Sequence, residues 1–198
     1  MYAIIATFDC VFTNKIRELQ NELTNIIGTN PLAGVEPHIT LADYNELDVN
    51  LYTEKLEEFV VFQENIAAVT FPSAVTFPSV GTFPSVGTFP SNGTIFLAPT
   101  ITDGLLRLHH SYHDYFKVFH DNLQSYYVPG KWAPHCTIAN GLNSNQFLSV
   151  MEYIYEKFDV TLASIEKLKL IKVNYEDGSA VSSSILAECN LKRMETSR

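Results

Sequence analysis

The sequence predicts a duplicated α+β fold, and three observations predict it. The segment Pro37-His38-Ile39-Thr40-Leu41-Ala42-Asp43 returns as Pro134-His135-Cys136-Thr137-Ile138-Ala139-Asn140, with Pro, His, Thr and Ala identical and the other positions keeping their character. Apolar residues at helical spacing stand before and after each copy. The chain closes on two strand-like segments joined through Asp177-Gly178, a hairpin signal.

Taken in order, the chain opens with a strand over residues 2–8. Thr13 is placed to cap a helix in which Ile16, Leu19, Leu23, Ile26 and Ile27 share a face, and Gly28 is placed to end it. The first motif follows a loop bearing Pro and Gly. Tyr52, Leu56, Phe59 and Val60 mark a second amphipathic helix, and residues 93–98 read as a strand. Asp103 begins a longer helix in which Leu105, Leu108, Tyr112, Phe116, Phe119 and Leu123 recur at helical spacing. After the second motif, Phe147, Leu148, Met151, Ile154, Tyr155 and Phe158 give a fourth helix. Residues 165–175 and 181–189 are the closing strands.

In an extended segment successive side chains point to opposite faces, so His38 and Thr40 project together while Ile39 and Leu41 occupy neighbouring positions. His135 and Thr137 do the same, and Cys136 between them reads as core rather than nucleophile. A fold that brings the copies together sets two imidazoles and two hydroxyls around one small anion.

On these two His-x-Thr motifs the chain resembles the 2H phosphoesterase superfamily, which includes 2'-5' RNA ligase-like proteins and cyclic nucleotide phosphodiesterases. The resemblance covers most of the chain. It implies one bilobal domain over residues 1–198, with antiparallel sheets lining a central cleft and helices outside. It implies His38 and His135 as the catalytic pair, with Thr40 and Thr137 binding the substrate phosphate. Cleavage of a phosphodiester needs a proton removed from the attacking oxygen, a proton delivered to the departing one, and stabilisation of the charged phosphoryl oxygens. Histidine, with an ordinary pKa of about 6.5, suits both proton roles. The expected activity is a phosphodiesterase acting on a 2',3'-cyclic phosphate or a 2'-5' linkage, without metal or other cofactor. The alternatives are hydrolysis of a cyclic nucleotide or cyclic oligonucleotide signal, or nucleotide binding without turnover.

Composition bounds the partners. The net charge is −9, from 13 basic and 22 acidic residues, which disfavours binding along a duplex, where several phosphates must be neutralised. A small nucleotide, a cyclic nucleotide or an RNA terminus remains compatible, since hydroxyls, imidazoles and backbone N–H groups can hold one phosphate. No apolar run approaches the roughly 20 residues that span a bilayer, and the expectation is a cytoplasmic protein without membrane contact. Cys10, Cys136 and Cys189 suggest neither a disulfide framework nor a zinc site.

Further candidates lie near the motifs. Trp132 is a candidate for stacking on a nucleobase, with Lys131 drawing in a phosphate, set evenly against a strand-edge aromatic beside a solvated Lys; Phe8 is a second stacking candidate, with core packing the favoured reading. Tyr44 and Asn140, just beyond the motifs, are candidate substrate contacts. His109 and His113 have the spacing of a helical metal pair, but the favoured reading is a solvated polar face. Thr-Phe-Pro-Ser occurs four times at a strict six-residue period over about 70–91. A Pro in every unit is hostile to central sheet pairing, so the repeats read as an edge hairpin or extended loop rather than a β-solenoid, with three units surplus to the fold.

Overall fold

The computed structural model describes residues 1–29, 32, 34–62, 69–71, 86–158, 161–176 and 179–191. The strands are β1 (Tyr2–Phe8), β2 (His38–Tyr44), β3 (Val69–Phe71), β4 (Val86–Phe89), β5 (Thr94–Leu97), β6 (Cys136–Ala139), β7 (Thr161–Ala163), β8 (Ile165–Glu176) and β9 (Ser179–Asn190). The α-helices are α1 (Cys10–Ile27), α2 (Val49–Phe62), α3 (Asp103–Phe116) and α4 (Ser144–Lys157). One antiparallel sheet has the order β2-β1-β8-β9 and another the order β4-β5-β6, while β3 pairs with β7. Both motif strands are therefore sheet edges, and they pack against each other.

Strand β1 is buried on both faces. Ile4, Ala6 and Phe8 enter the main core with the apolar face of α1, and Ala3 and Ile5 pack with Ile171 on the other side. The helices cross between halves: α1 packs on β6 and α4, whereas α3 packs on β2. Each motif strand is thus backed by a helix from the opposite half of the sequence.

Several element ends differ from the sequence expectation. Asp9, not Thr13, caps α1: its Oδ1 accepts from the Phe12 N–H at 3.0 Å, and its Oδ2 accepts from the Ser164 N–H at 2.7 Å. One carboxylate therefore satisfies a helix end and ties it to the turn between β7 and β8, while Thr13 is buried one turn in. Gly28 does end α1, in the left-handed conformation at φ 76°, with its N–H bonded to the Thr24 carbonyl at 2.8 Å.

Helix α3 is capped by the Thr102 hydroxyl and stops at Phe116, followed by a 3₁₀ turn at Lys117–Phe119; Leu123, expected on its apolar face, is 89% exposed beyond it. On α4, Leu148 and Tyr155 point to solvent, and the buried face runs through Val150, Ile154 and Phe158. The reciprocal bonds between Asn143 and Gln146 form a capping box at its start. The Asp177-Gly178 turn lies outside the described residues.

The repeats are not wholly surplus. The first unit supplies β3 and the last supplies β4, with Pro90 opening the 3₁₀ turn Pro90–Asn92. Proline thereby ends the strand rather than interrupting it, so Val-Gly-Thr-Phe can pair along its length. The units at 76–79 and 82–85 lie outside the described residues.

Candidate active site

The two motif strands share an irregularity. On β2, Thr40 pairs with Ile5 and Ala42 with Ile4, leaving Leu41 as an extra residue; on β6, Thr137 pairs with Phe96 and Ala139 with Ile95, leaving Ile138 extra. Each is a β-bulge immediately after the motif threonine, a device that bends a strand and re-aims its side chains. Before the bulge, alternation holds: Ile39 and Cys136 are fully buried, while His38, Thr40, His135 and Thr137 are half-buried. All four motif side chains line one cleft of about 650 Å³.

Both imidazoles are fixed in the same way. His38 Nδ1 donates to the Glu36 carbonyl at 2.6 Å, and His135 Nδ1 donates to the Ala133 carbonyl at 2.7 Å. A carbonyl can only accept, so each Nδ1 carries a proton and each Nε2 is the group left for proton exchange. The segment entering β2 is anchored further by Glu36, which ion-pairs with the buried Lys169 at 2.7 Å. Burial lowers the pKa of His38, against an upward pull from the Glu36 carbonyl, and a positive His135 lowers it further. His135 is likewise lowered by burial, opposed by its bond to Ala133. The thiol of Cys136, between His135 and Thr137 in the chain, is pushed up to about 12 by burial, so at neutral pH it is an uncharged core group.

The rest of the cleft comes from two loops and the last repeat. Phe89, Ser91 and Asn92 line it, as do Tyr126, Tyr127 and Asn140, and Lys131 is the one Lys or Arg among its described lining residues. The Phe89 ring stands edge-on to His135 at 5.1 Å and packs on Phe96 at 4.5 Å; Phe96 lies 5.0 Å from the same imidazole. One face of the second motif histidine is thus walled by aromatic rings. Phe89 is not marked in the sequence, because four copies of one tetrapeptide with three read as surplus do not show which copy enters the fold.

Three of the candidate contacts do not line the cleft, and for Phe8 this is the favoured core placement. Trp132 stacks on His109 at 3.8 Å with the planes 3° apart, and its indole N–H donates to the Thr40 carbonyl at 2.9 Å, so it faces inward rather than toward a nucleobase. Phe8 is core, 4.6 Å from Phe12. Tyr44 is fully buried with its hydroxyl 2.6 Å from that of Tyr112, which also bonds the Tyr52 hydroxyl. Beyond the bulge the alternation reverses phase, which turns Tyr44 into the core.

His109 and His113 of α3 are buried as well, not solvated, while His110 between them is exposed. His109 donates from Nε2 to the Tyr127 carbonyl at 2.7 Å, and His113 donates from Nε2 to the Leu41 carbonyl at 3.0 Å. Burial lowers both pKa values, that of His109 to about 4. Among the described residues, no three His, Cys, Asp or Glu side chains are grouped to hold a metal ion. No described helix is long and apolar enough to cross a membrane.

The architecture is that of LigT-like phosphoesterases. It is similar over 98% of this chain and 99% of the other to the TT0787 protein of Thermus thermophilus, at 16% identity and a TM-score of 0.54. It is similar to E. coli LigT, solved in complex with 3'-AMP, at 13% identity and a TM-score of 0.53, covering 96% of both chains. A third structure, of a phosphoesterase, gives 15% identity and 0.52 over 96% of this chain and 97% of that one. The model of the 2'-5' RNA ligase superfamily matches residues 9–176, and the chain belongs to this 2H phosphoesterase superfamily. No protein of curated function matches the sequence. Membership suggests an activity of the phosphoesterase or ligase type.

Proposed function

We propose that this protein cleaves a small nucleotide or RNA-end phosphodiester, a 2',3'-cyclic phosphate or a 2'-5' linkage, by acid–base catalysis between His38 and His135. The observation that carries the reading is the matched pair of imidazoles, each with Nδ1 bonded to a carbonyl and each beside a threonine in one cleft. For a cyclic phosphate, one neutral Nε2 takes a proton from water as its oxygen bonds to phosphorus. The other, protonated, gives its proton to the ribose oxygen as that P–O bond breaks, leaving a phosphomonoester and a hydroxyl. Thr40 and Thr137 donate hydrogen bonds to the non-bridging oxygens. These steps call on no metal or cofactor.

The single lysine among the cleft's described lining residues, together with its aromatic residues, suits one phosphate and one or two nucleosides better than a long polyanion. The test is a panel of nucleoside 2',3'-cyclic phosphates, 2'-5' and 3'-5' dinucleotides, cyclic mononucleotides and cyclic dinucleotides, with products identified by chromatography and ³¹P NMR. Cleavage of a 2',3'-cyclic phosphate or 2'-5' dinucleotide in preference to the rest is expected. Preference for a cyclic mono- or dinucleotide would move the substrate to a signalling nucleotide, and tight binding without turnover across the panel would overturn the enzymatic reading.

A further inference from the structure

We propose that Trp132 and Gln20 are matched positioning residues, each holding one motif threonine by donating a hydrogen bond to that threonine's own carbonyl at the β-bulge. Trp132 Nε1 donates to the Thr40 carbonyl at 2.9 Å, and Gln20 Nε2 donates to the Thr137 carbonyl at 3.3 Å. Both carbonyls belong to edge strands, so among the described residues no further strand supplies their partners. Both sit where an extra residue disrupts the ladder. An unbonded carbonyl there would leave the bulge free to relax, and the aim of the threonine hydroxyl with it.

The environment of each donor supports the role. Gln20 is 5% exposed on the α1 face that otherwise buries Phe12, Ile16, Leu19, Leu23 and Ile27. A buried amide on an apolar stripe is costly unless bonded, and its bond goes to the second motif. Trp132 is held flat by His109, itself fixed by the Tyr127 carbonyl, and His113 secures the next carbonyl, that of Leu41. The two arrangements are reciprocal. Gln20, on the first helix, serves the second motif, and Trp132, just ahead of the second motif, serves the first. The sequence echo does not extend to these donors, since Val35 stands three residues before His38 where Trp132 precedes His135. The fold has met one requirement twice with unrelated side chains.

This inference rests on the reading of Thr40 and Thr137 as phosphate-holding groups. It is tested with Trp132→Phe, which keeps the stack on His109 but removes the N–H, and Gln20→Met, which keeps length but removes the amide. Each should lower kcat on adenosine 2',3'-cyclic phosphate by about 10–100-fold with little change in KM, the cost of a sub-ångström to ångström misplacement. In double-mutant cycles Trp132→Phe should add little to Thr40→Val but multiply with Thr137→Val, and Gln20→Met should show the reverse. A merely structural role would lower Tm and multiply equally in all four pairs. Without ligand, the labelled methyl signal of Thr40 should shift in Trp132→Phe and that of Thr137 in Gln20→Met, each leaving the other in place. Wild-type kcat in both single variants, equal coupling in all pairs, or methyl signals that do not move selectively would overturn the proposal. Failure of the enzymatic reading is distinguishable, because the wild type would then not turn over while the selective methyl shifts persist.

Discussion

Gly87→Ala probes how the last repeat is seated against the site. A Cβ at Gly87 would lie 2.2 Å from Cε2 and 2.3 Å from Cζ of Phe96. Carbon atoms settle at about 3.5–4.0 Å, so the ring must retreat by more than about 1 Å. It has little room: Phe96 is 8% exposed, with the Phe89 ring at 4.5 Å and His135 at 5.0 Å. Overpacking of this kind costs about 1–3 kcal/mol. For a chain of this size that corresponds to a fall in Tm of about 2–4 °C per kcal/mol. Turnover should fall as well, by up to about 10²-fold, because a displaced Phe96 pushes on the imidazole. Thermal melting and turnover on the same preparations read both effects. Adding Phe96→Leu to Gly87→Ala removes the clashing ring atoms and should recover much of the lost Tm, a non-additive outcome expected of neighbours. Wild-type Tm and turnover in Gly87→Ala would refute the seating of β4 on β5.

Other perturbations separate the parts of the account. Thr40→Val and Thr137→Val keep the side-chain shape but remove a donor, and each should cost roughly 1–3 kcal/mol of transition-state stabilisation, seen in kcat with little change in Tm. Stability should depend on His109: an unfolded histidine takes up a proton below about 6.5, whereas the buried one stays neutral to about 4. Its contribution is therefore complete above pH 6.5 and is lost as pH falls toward 4. The loss amounts to about 3 kcal/mol at most. Equilibrium unfolding across this range should be less steep in pH for His109→Phe than for the wild type; equal slopes would contradict the neutral buried imidazole. Deleting residues 80–85, one whole repeat, leaves β3 and β4 intact and should change stability by only about 0.5 kcal/mol through loop closure. Tm and turnover near wild type are expected, and collapse of the fold would show that the intervening repeats are structural.

The doubled motif was legible because alternation along a strand is a strong constraint: His and Thr two apart must share a face, and Ile39 and Cys136 must take the other. The bulges left a trace too, since Leu41-Ala42 and Ile138-Ala139 are consecutive buried pairs that break the alternation. What was not legible depended on contacts distant in sequence. Thr13 looked like a cap by local rules, but Asp9 also finds the Ser164 N–H across the fold. His109 and His113 read as a solvated face because other residues already account for the apolar side of the helix, whereas backbone carbonyls satisfy both imidazoles in the interior. Trp132 pointed inward for the same reason, drawn by the Thr40 carbonyl. Phe89 was hidden by repetition, since nothing in four copies of one tetrapeptide marks which copy lines the cleft.

The central claim is that two histidines exchange protons across one phosphodiester. The direct measurement is the pH dependence of turnover of adenosine 2',3'-cyclic phosphate by the wild type, His38→Ala and His135→Ala, with a chelator present. Since burial lowers both imidazole pKa values from 6.5, the wild-type kcat/KM profile should be bell-shaped and centred below that value. Each variant should lose at least ~10²-fold in turnover and one limb of the bell, while adenosine 3'-monophosphate still binds. Full turnover in either single variant, or turnover that requires an added divalent ion, would contradict the account.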